Sequence, residues 1–84
     1  MKHELRSYQQ VLCVTMEECG ELTQACSKAL RFGNKEEIAK EAGDVLAMID
    51  LLVKYGFTTY DDLEKRKQVK FNKLKKYSNI IWEE

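Results

Sequence analysis

The sequence predicts an all-α fold, an antiparallel bundle of three main helices per chain that is completed by homo-oligomerisation. Three observations predict it. The 84 residues contain no proline and only four glycines, so little in the chain breaks a helix. Glycine stops and capping residues divide the chain into three helical segments, and the gaps between those segments are short, which makes sequential helices antiparallel neighbours. At 44% hydrophobic and 33% charged residues the composition is that of a globular domain. A chain this short buries only a modest core, however, and association with further copies supplies the rest. The length fits one domain, residues 1–84.

The first helix is predicted from about Glu4 to Phe32, with Gly33 as the left-handed residue after its end. Asn34 then stands where a cap for the second helix belongs, and Glu37 three residues on would complete a capping box. That helix runs to about Tyr55 and stops at Gly56. Thr59 caps the third, with Asp62 three residues later, and the helix continues to about Tyr77. The tail from Ser78 to Glu84 carries Ile80, Ile81 and Trp82. An apolar tail on a small chain is expected to dock on its own chain or on a partner copy.

Charge and cysteine content narrow the function classes. Lys plus Arg is 14 and Asp plus Glu is 14, and without a basic excess a general role on a nucleic-acid polymer is not expected. A net charge of zero leaves little repulsion between copies, and the wide apolar arcs, more than two neighbouring helices of this size can cover, predict a homodimer or homotetramer with the first and second helices at the interface. The most apolar stretch, Val45 to Val53, is broken by Asp50 and is about half the length of a membrane span. The N-terminus has no apolar signal-peptide core. Cys13, Cys19 and Cys26 are odd in number and spaced six and seven apart along one helix, too far to bridge each other. A reduced, cytoplasmic setting is the expectation. Zinc is disfavoured because the only histidine is His3, near the chain end.

The informative residues are carboxylates on faces that should be apolar. On a wheel of the first helix, Val11, Val14, Glu21, Leu22, Ala25 and Ala29 lie within about 60° of Glu18. Leu12, Met16, Cys19, Thr23, Cys26 and Leu30 continue the apolar arc, and Glu17 lies near its edge. On the second helix Glu37, Asp44, Val45, Met48, Leu52 and Tyr55 lie within about 60° of Glu41, whereas Lys40, Asp50 and Lys54 point elsewhere. A short turn between the helices would bring the two acidic pairs toward each other.

Acidic residues on helices are ordinarily solvated or paired with lysine. Here the same i, i+3 pair occurs twice, both times on the packing face. Carboxylates in a bundle interior suffer desolvation and mutual repulsion, which a bound cation or protonation offsets. All-oxygen ligation selects a hard cation, Mg²⁺ or Mn²⁺. Because Mg²⁺ commonly shares its shell with substrate phosphates, the natural ligand for such a cluster is a phosphate chain.

At these residues the sequence resembles a known family. Glu17-Glu18-Cys19-Gly20-Glu21 reads EExxE, and Glu41-Ala42-Gly43-Asp44 reads ExxD inside EAGDVLAMIDLL. The two motifs in this order resemble the MazG-like branch of the all-α nucleoside triphosphate pyrophosphohydrolases, over residues 8 to 77. The resemblance implies Mg²⁺-dependent hydrolysis of a nucleoside or deoxynucleoside triphosphate to the monophosphate and pyrophosphate, with Mn²⁺ as a substitute. Carried over by position, it makes Glu18, Glu21, Glu41 and Asp44 metal ligands. Glu17 would orient or deprotonate the attacking water. It also implies cationic and amide groups near the phosphates from a later helix, for which Lys67, Lys70 and Asn72 are the candidates. The Lys-Asn-Arg arrangement of longer members is not present in that segment. Two other readings remain: a phosphoribosyl-ATP pyrophosphohydrolase, a family that shares the scaffold, and a catalytically inert helical oligomerisation module.

Overall fold

In a computed structural model, which describes residues 5–80, the chain forms three helices, α1 (Ser7–Phe32), α2 (Ile38–Lys54) and α3 (Tyr60–Tyr77). No strand occurs among the described residues. The start of α1 lies at Ser7 rather than near Glu4, which is itself outside the described residues. Arg6 is its cap, and the Arg6 backbone N–H donates to Gln9 Oε1 at 2.9 Å. The α1 end is as expected: Gly33 has φ 71°, and its N–H donates to the Ala29 carbonyl at 2.9 Å.

The beginning of α2 differs from expectation. Asn34 Oδ1 accepts the Glu36 N–H, two residues on, at 3.0 Å. This closes a local turn in place of a helix cap. The helix then starts at Ile38, with Glu37 as its uncapped first boundary residue. The anticipated Asn34–Glu37 capping box does not form, and Glu37 reaches across to Lys28 of α1 at 3.7 Å.

At the other end of α2, Gly56 has φ 82°, the Gly56 N–H donates to Val53 O at 3.0 Å, and the Phe57 N–H donates to Leu52 O at 2.9 Å. This pair of bonds is the Schellman termination that a glycine in the left-handed region permits. Thr59 caps α3 through Oγ1, which accepts the Asp62 N–H at 3.1 Å. Asp61 and Asp62 in its first turn and Lys75 and Lys76 in its last oppose the helix dipole.

α1 and α2 pack along their lengths, antiparallel. Lys28 meets Glu37 beside the connecting loop, and at the far end Val11 and Val14 share a surface depression with Met48, Leu51 and Tyr55. α3 stands apart from this hairpin and contributes no buried residue. Its hold on the rest includes the Tyr60 hydroxyl donating to Asp50 Oδ1 at 2.6 Å, and Phe57 in the α2–α3 loop lies 6.4 Å from the Tyr8 ring between centroids.

The buried apolar core among the described residues is only Val11, Ala25 and Met48. The chain measures 46 × 34 × 16 Å, with a radius of gyration of 15.5 Å against about 12 Å for a compact chain of this length. It is a slab one to two helices thick, not a closed three-helix bundle.

Candidate metal centre

Glu18 comes from the middle of α1, and Glu41 and Asp44 from the first two turns of α2. The residues that align them are the small and apolar ones around them: Ala25 and Val11 pack on one side of the seam and Met48 on the other, all buried. One carboxylate oxygen from each of Glu18, Glu41 and Asp44 lies within 4.8 Å of the other two. Glu41 is 6% exposed and is the only buried charged residue among those described.

Two carboxylate oxygens of these residues have no hydrogen-bond partner. Glu18 Oε1 and Glu41 Oε1 are both buried and unpaired. Buried polar atoms are nearly always satisfied, and a carboxylate oxygen without a donor bears its full desolvation penalty. Glu18 is accordingly raised above its ordinary pKa, first by desolvation and then by the charges of Glu21, Asp44 and Glu41.

Glu21 is near enough to be the strongest of those like charges on Glu18, yet it is exposed and is not one of the three residues whose oxygens converge. Glu17 is exposed on the edge of α1.

The sequence reading placed Lys40 facing away from the acidic residues, and the structure corrects this. Its long stem folds back so that Nζ lies 3.2 Å from Glu41 Oε2 and 3.8 Å from Asp44 Oδ2. The hydrogen bond to Glu41, then the charges of Glu41 and Asp44, raise the Lys40 pKa. The signal for this was present as the i, i+4 spacing of Lys40 and Asp44. A wheel angle describes where Cβ points, not where four methylenes can carry an ammonium group.

Lys67 and Lys70 line a cleft between α2 and α3 together with Leu46, Asp50 and Tyr60. Asp50 lies about 180° around α2 from Glu41, so one chain holds these two lysines on the other side of α2 from the converging carboxylates. The Lys67 ammonium is 3.3 Å from Glu64. Asn72 borders a separate depression with Val69 and Lys73.

A hard divalent ion fits the donor set that does converge. It consists of carboxylates only, Glu18 and Glu41 each keep one buried oxygen without a partner, and an ion with Mg–O bonds near 2.1 Å is of a size for oxygens that lie within 4.8 Å of one another. No helix among the described residues is long and apolar enough to cross a membrane.

Comparison with known proteins gives one finding. The family model described as the MazG nucleotide pyrophosphohydrolase domain matches residues 6–78. No curated protein and no solved structure matches the chain. The matched span takes in all three helices and both acidic motifs, and on it the chain belongs to the MazG nucleotide pyrophosphohydrolase domain family.

Proposed function

We propose that the protein hydrolyses a nucleoside or deoxynucleoside triphosphate to the monophosphate and pyrophosphate, using Mg²⁺ held by Glu18, Glu41 and Asp44 with Glu21 at the rim. Membership of the family supports the reaction class. The observation that carries the site is the pair of buried, unpartnered oxygens, Glu18 Oε1 and Glu41 Oε1, on facing helices. When bound, the ion would offset phosphate charge and lower the pKa of a water ligand. Mn²⁺ would serve in its place, having the same preference for oxygen donors.

The chain's own groups have separate tasks. Glu18, Glu41 and Asp44 fix one position between α1 and α2 where negative charge from the substrate and positive charge from the ion meet. Lys40, 68% exposed at its side chain, is the resident countercharge. Its ammonium is free to turn from Glu41 to a phosphate oxygen once another cation occupies the carboxylates. Glu17, one residue before Glu18 and open to solvent, holds a water by its carboxylate and takes a proton from it. That water attacks the α-phosphorus, the bond to the bridging oxygen breaks, and pyrophosphate leaves. Little covalent chemistry is asked of the protein, since positioning and charge do most of the work in phosphoryl transfer.

Lys67, Lys70 and Asn72 are proposed contacts for the remaining phosphates. Their place on the far side of α2 means that they would serve a substrate bound to a neighbouring copy. A reduced, cytoplasmic location, where such nucleotides are abundant, is part of the same proposal.

The test is pyrophosphate release over a panel of ribo- and deoxynucleoside triphosphates, with Mg²⁺ and with chelator. Release that needs the metal and falls by at least 100-fold in Asp44→Ala supports the reading. Hydrolysis undiminished in excess chelator would sink it, and no release from any nucleotide would leave an inert helical module.

A further inference from the structure

We infer that the segment 80–84 folds back between α2 and α3, with Trp82 seated in the open end of the cleft that Leu46 and Leu63 line. Glu83 and Glu84 then reach the cationic rim formed by Arg66, Lys67 and Lys70. Residues 81–84 lie outside the described residues, and three observations on the rest of the chain give them this place.

The first is a space without an occupant. The cleft holds about 520 Å³, and its walls include the apolar Leu46, Ile49 and Leu63. Leu46 is 62% exposed although it stands in the middle of α2. α3 contributes no buried residue, and the Tyr60–Asp50 hydrogen bond holds only its first turn. Leu63, Lys67, Lys70 and Leu74 share a sector of about 60° on α3, so the cleft face continues to the helix end. A space this apolar beside a three-residue core calls for apolar cover.

The second is direction and reach. Ser78 leaves α3 with φ −151° and ψ 174°, and its N–H and its hydroxyl both donate to the Leu74 carbonyl at 2.9 Å. The Ile80 N–H donates to Ser78 Oγ at 3.4 Å. These local bonds bend the chain at Asn79 in place of a further helical turn. Five extended residues span about 16 Å, and the way back along α3 from Tyr77 to Lys67 is about 15 Å. The segment thus reaches the half of the cleft that Lys67 and Lys70 border and falls short of Tyr60, about 26 Å from Tyr77.

The third is the order of the side chains. Back from its end, the cleft face of α3 presents Leu74, then Lys70 and Lys67 with Arg66 beside them. The segment presents Ile80, Ile81 and Trp82, then Glu83 and Glu84. Laid antiparallel, apolar meets apolar and acid meets base. Arg66 and Lys70 have no ion pair among the described residues, and Lys67 has only the exposed Glu64 at 3.3 Å. An indole, broad and apolar with one polar edge, suits an apolar cleft with a polar rim. The other depression on α3, around Val69, Asn72 and Lys73, has walls from this one helix alone among the described residues.

So placed, the segment is a strap that ties the far half of α3 to α2. A phosphate chain can reach Lys67 and Lys70 only by displacing its acids. The strap itself stands whether or not the chain hydrolyses nucleotides.

Trp82 is the only tryptophan, so its fluorescence in the intact chain reports the segment directly. Wild type should emit to the blue of the urea-unfolded chain and resist acrylamide quenching severalfold better. Leu46→Arg, at an exposed position, should shift the emission to the red and remove the protection, with helix content retained by circular dichroism. Glu83→Lys/Glu84→Lys should do the same by setting like charges against the rim. Val69→Arg, on the other side of α3, should change neither quantity, and protection should be constant over a wide dilution series. Free quenching of wild-type Trp82, or protection lost in Val69→Arg and kept in Leu46→Arg, would overturn the inference. So would protection that fades on dilution, which would put the segment on another copy.

Discussion

Replacing Glu41 by Gln keeps the shape of the most buried carboxylate and removes its charge. Glu41 is 6% exposed, and its Oε1 has no partner. Two further carboxylates place oxygens within 4.8 Å. Like unit charges at that distance repel by about 1 kcal/mol in bulk water and by 3–4 kcal/mol at an effective dielectric near 20. The Asp44 side chain is 46% exposed, so the cluster opens to solvent and the lower figure is the appropriate one. Against this gain stands the lost ion pair with the exposed Lys40, and such pairs are weak. The amide also brings a donor to a site where an acceptor was unpaired.

The net expectation for Glu41→Gln in chelator is a stabilisation of about 1 kcal/mol, which for a domain of this size raises Tm by about 4–8 °C. Wild type should close or reverse that gap when Mg²⁺ is added. An ion at 100 times its Kd stabilises the folded state by about 2.7 kcal/mol, and the variant has lost a ligand for it. Paired thermal melts in chelator and in millimolar Mg²⁺, at one protein concentration, read both effects. If Glu41→Gln melts below wild type in chelator and keeps the full Mg²⁺ shift, then Glu41 is a structural residue and the site has been assigned wrongly.

Further outcomes follow from other parts of the structure. Because the Glu18 pKa is raised in the folded chain, its contribution favours folding below the unfolded value near 4.5 and is lost as pH rises through the folded value. Stability measured in chelator should therefore decline over that window, and Glu18→Gln should flatten the decline in a urea titration at several pH values. Lys40→Met should lower Tm in chelator, by leaving the carboxylates without a countercharge, and should enlarge the Mg²⁺ shift; equal melts in both media would show that Lys40 is a bystander. Gly56→Ala must hold a side chain at φ 82° and should lose about 1–2 kcal/mol in chemical denaturation, with the metal response unchanged. Met48→Ala removes a large part of a three-residue apolar core and should cost about 2–5 kcal/mol, enough to leave so thin a fold largely unfolded when monomeric.

The sequence by itself determined where the helices stop and which faces carry the acids. Gly33, Gly56 and Thr59 are local signals, each acting through one backbone conformation or one side-chain oxygen, so they hold whatever packs around them. That Glu18 lies on the packing face of α1, and Glu41 and Asp44 on that of α2, follows from helical period alone. Asn34 shows the limit of the same local reasoning. Its oxygen had two nearby N–H groups to choose from, and the chain used the one that closes a turn and delays α2 to Ile38.

Tertiary structure decided what the period leaves open, namely height along the helices, the reach of long side chains and the distance between elements. It set Glu21 at the edge of the converging carboxylates, although Glu21 and Glu18 share a face. It brought the Lys40 ammonium back over them through a flexible stem. It put Lys67 and Lys70 across α2 from the acids, because α3 packs beside Asp50 and Leu46 and not over the α1–α2 seam. It also left the stripe from Leu12 to Leu30 uncovered. A wheel shows that stripe as apolar, but only the packed hairpin, with α2 on one side of α1 and α3 elsewhere, shows that none of the described residues fills it.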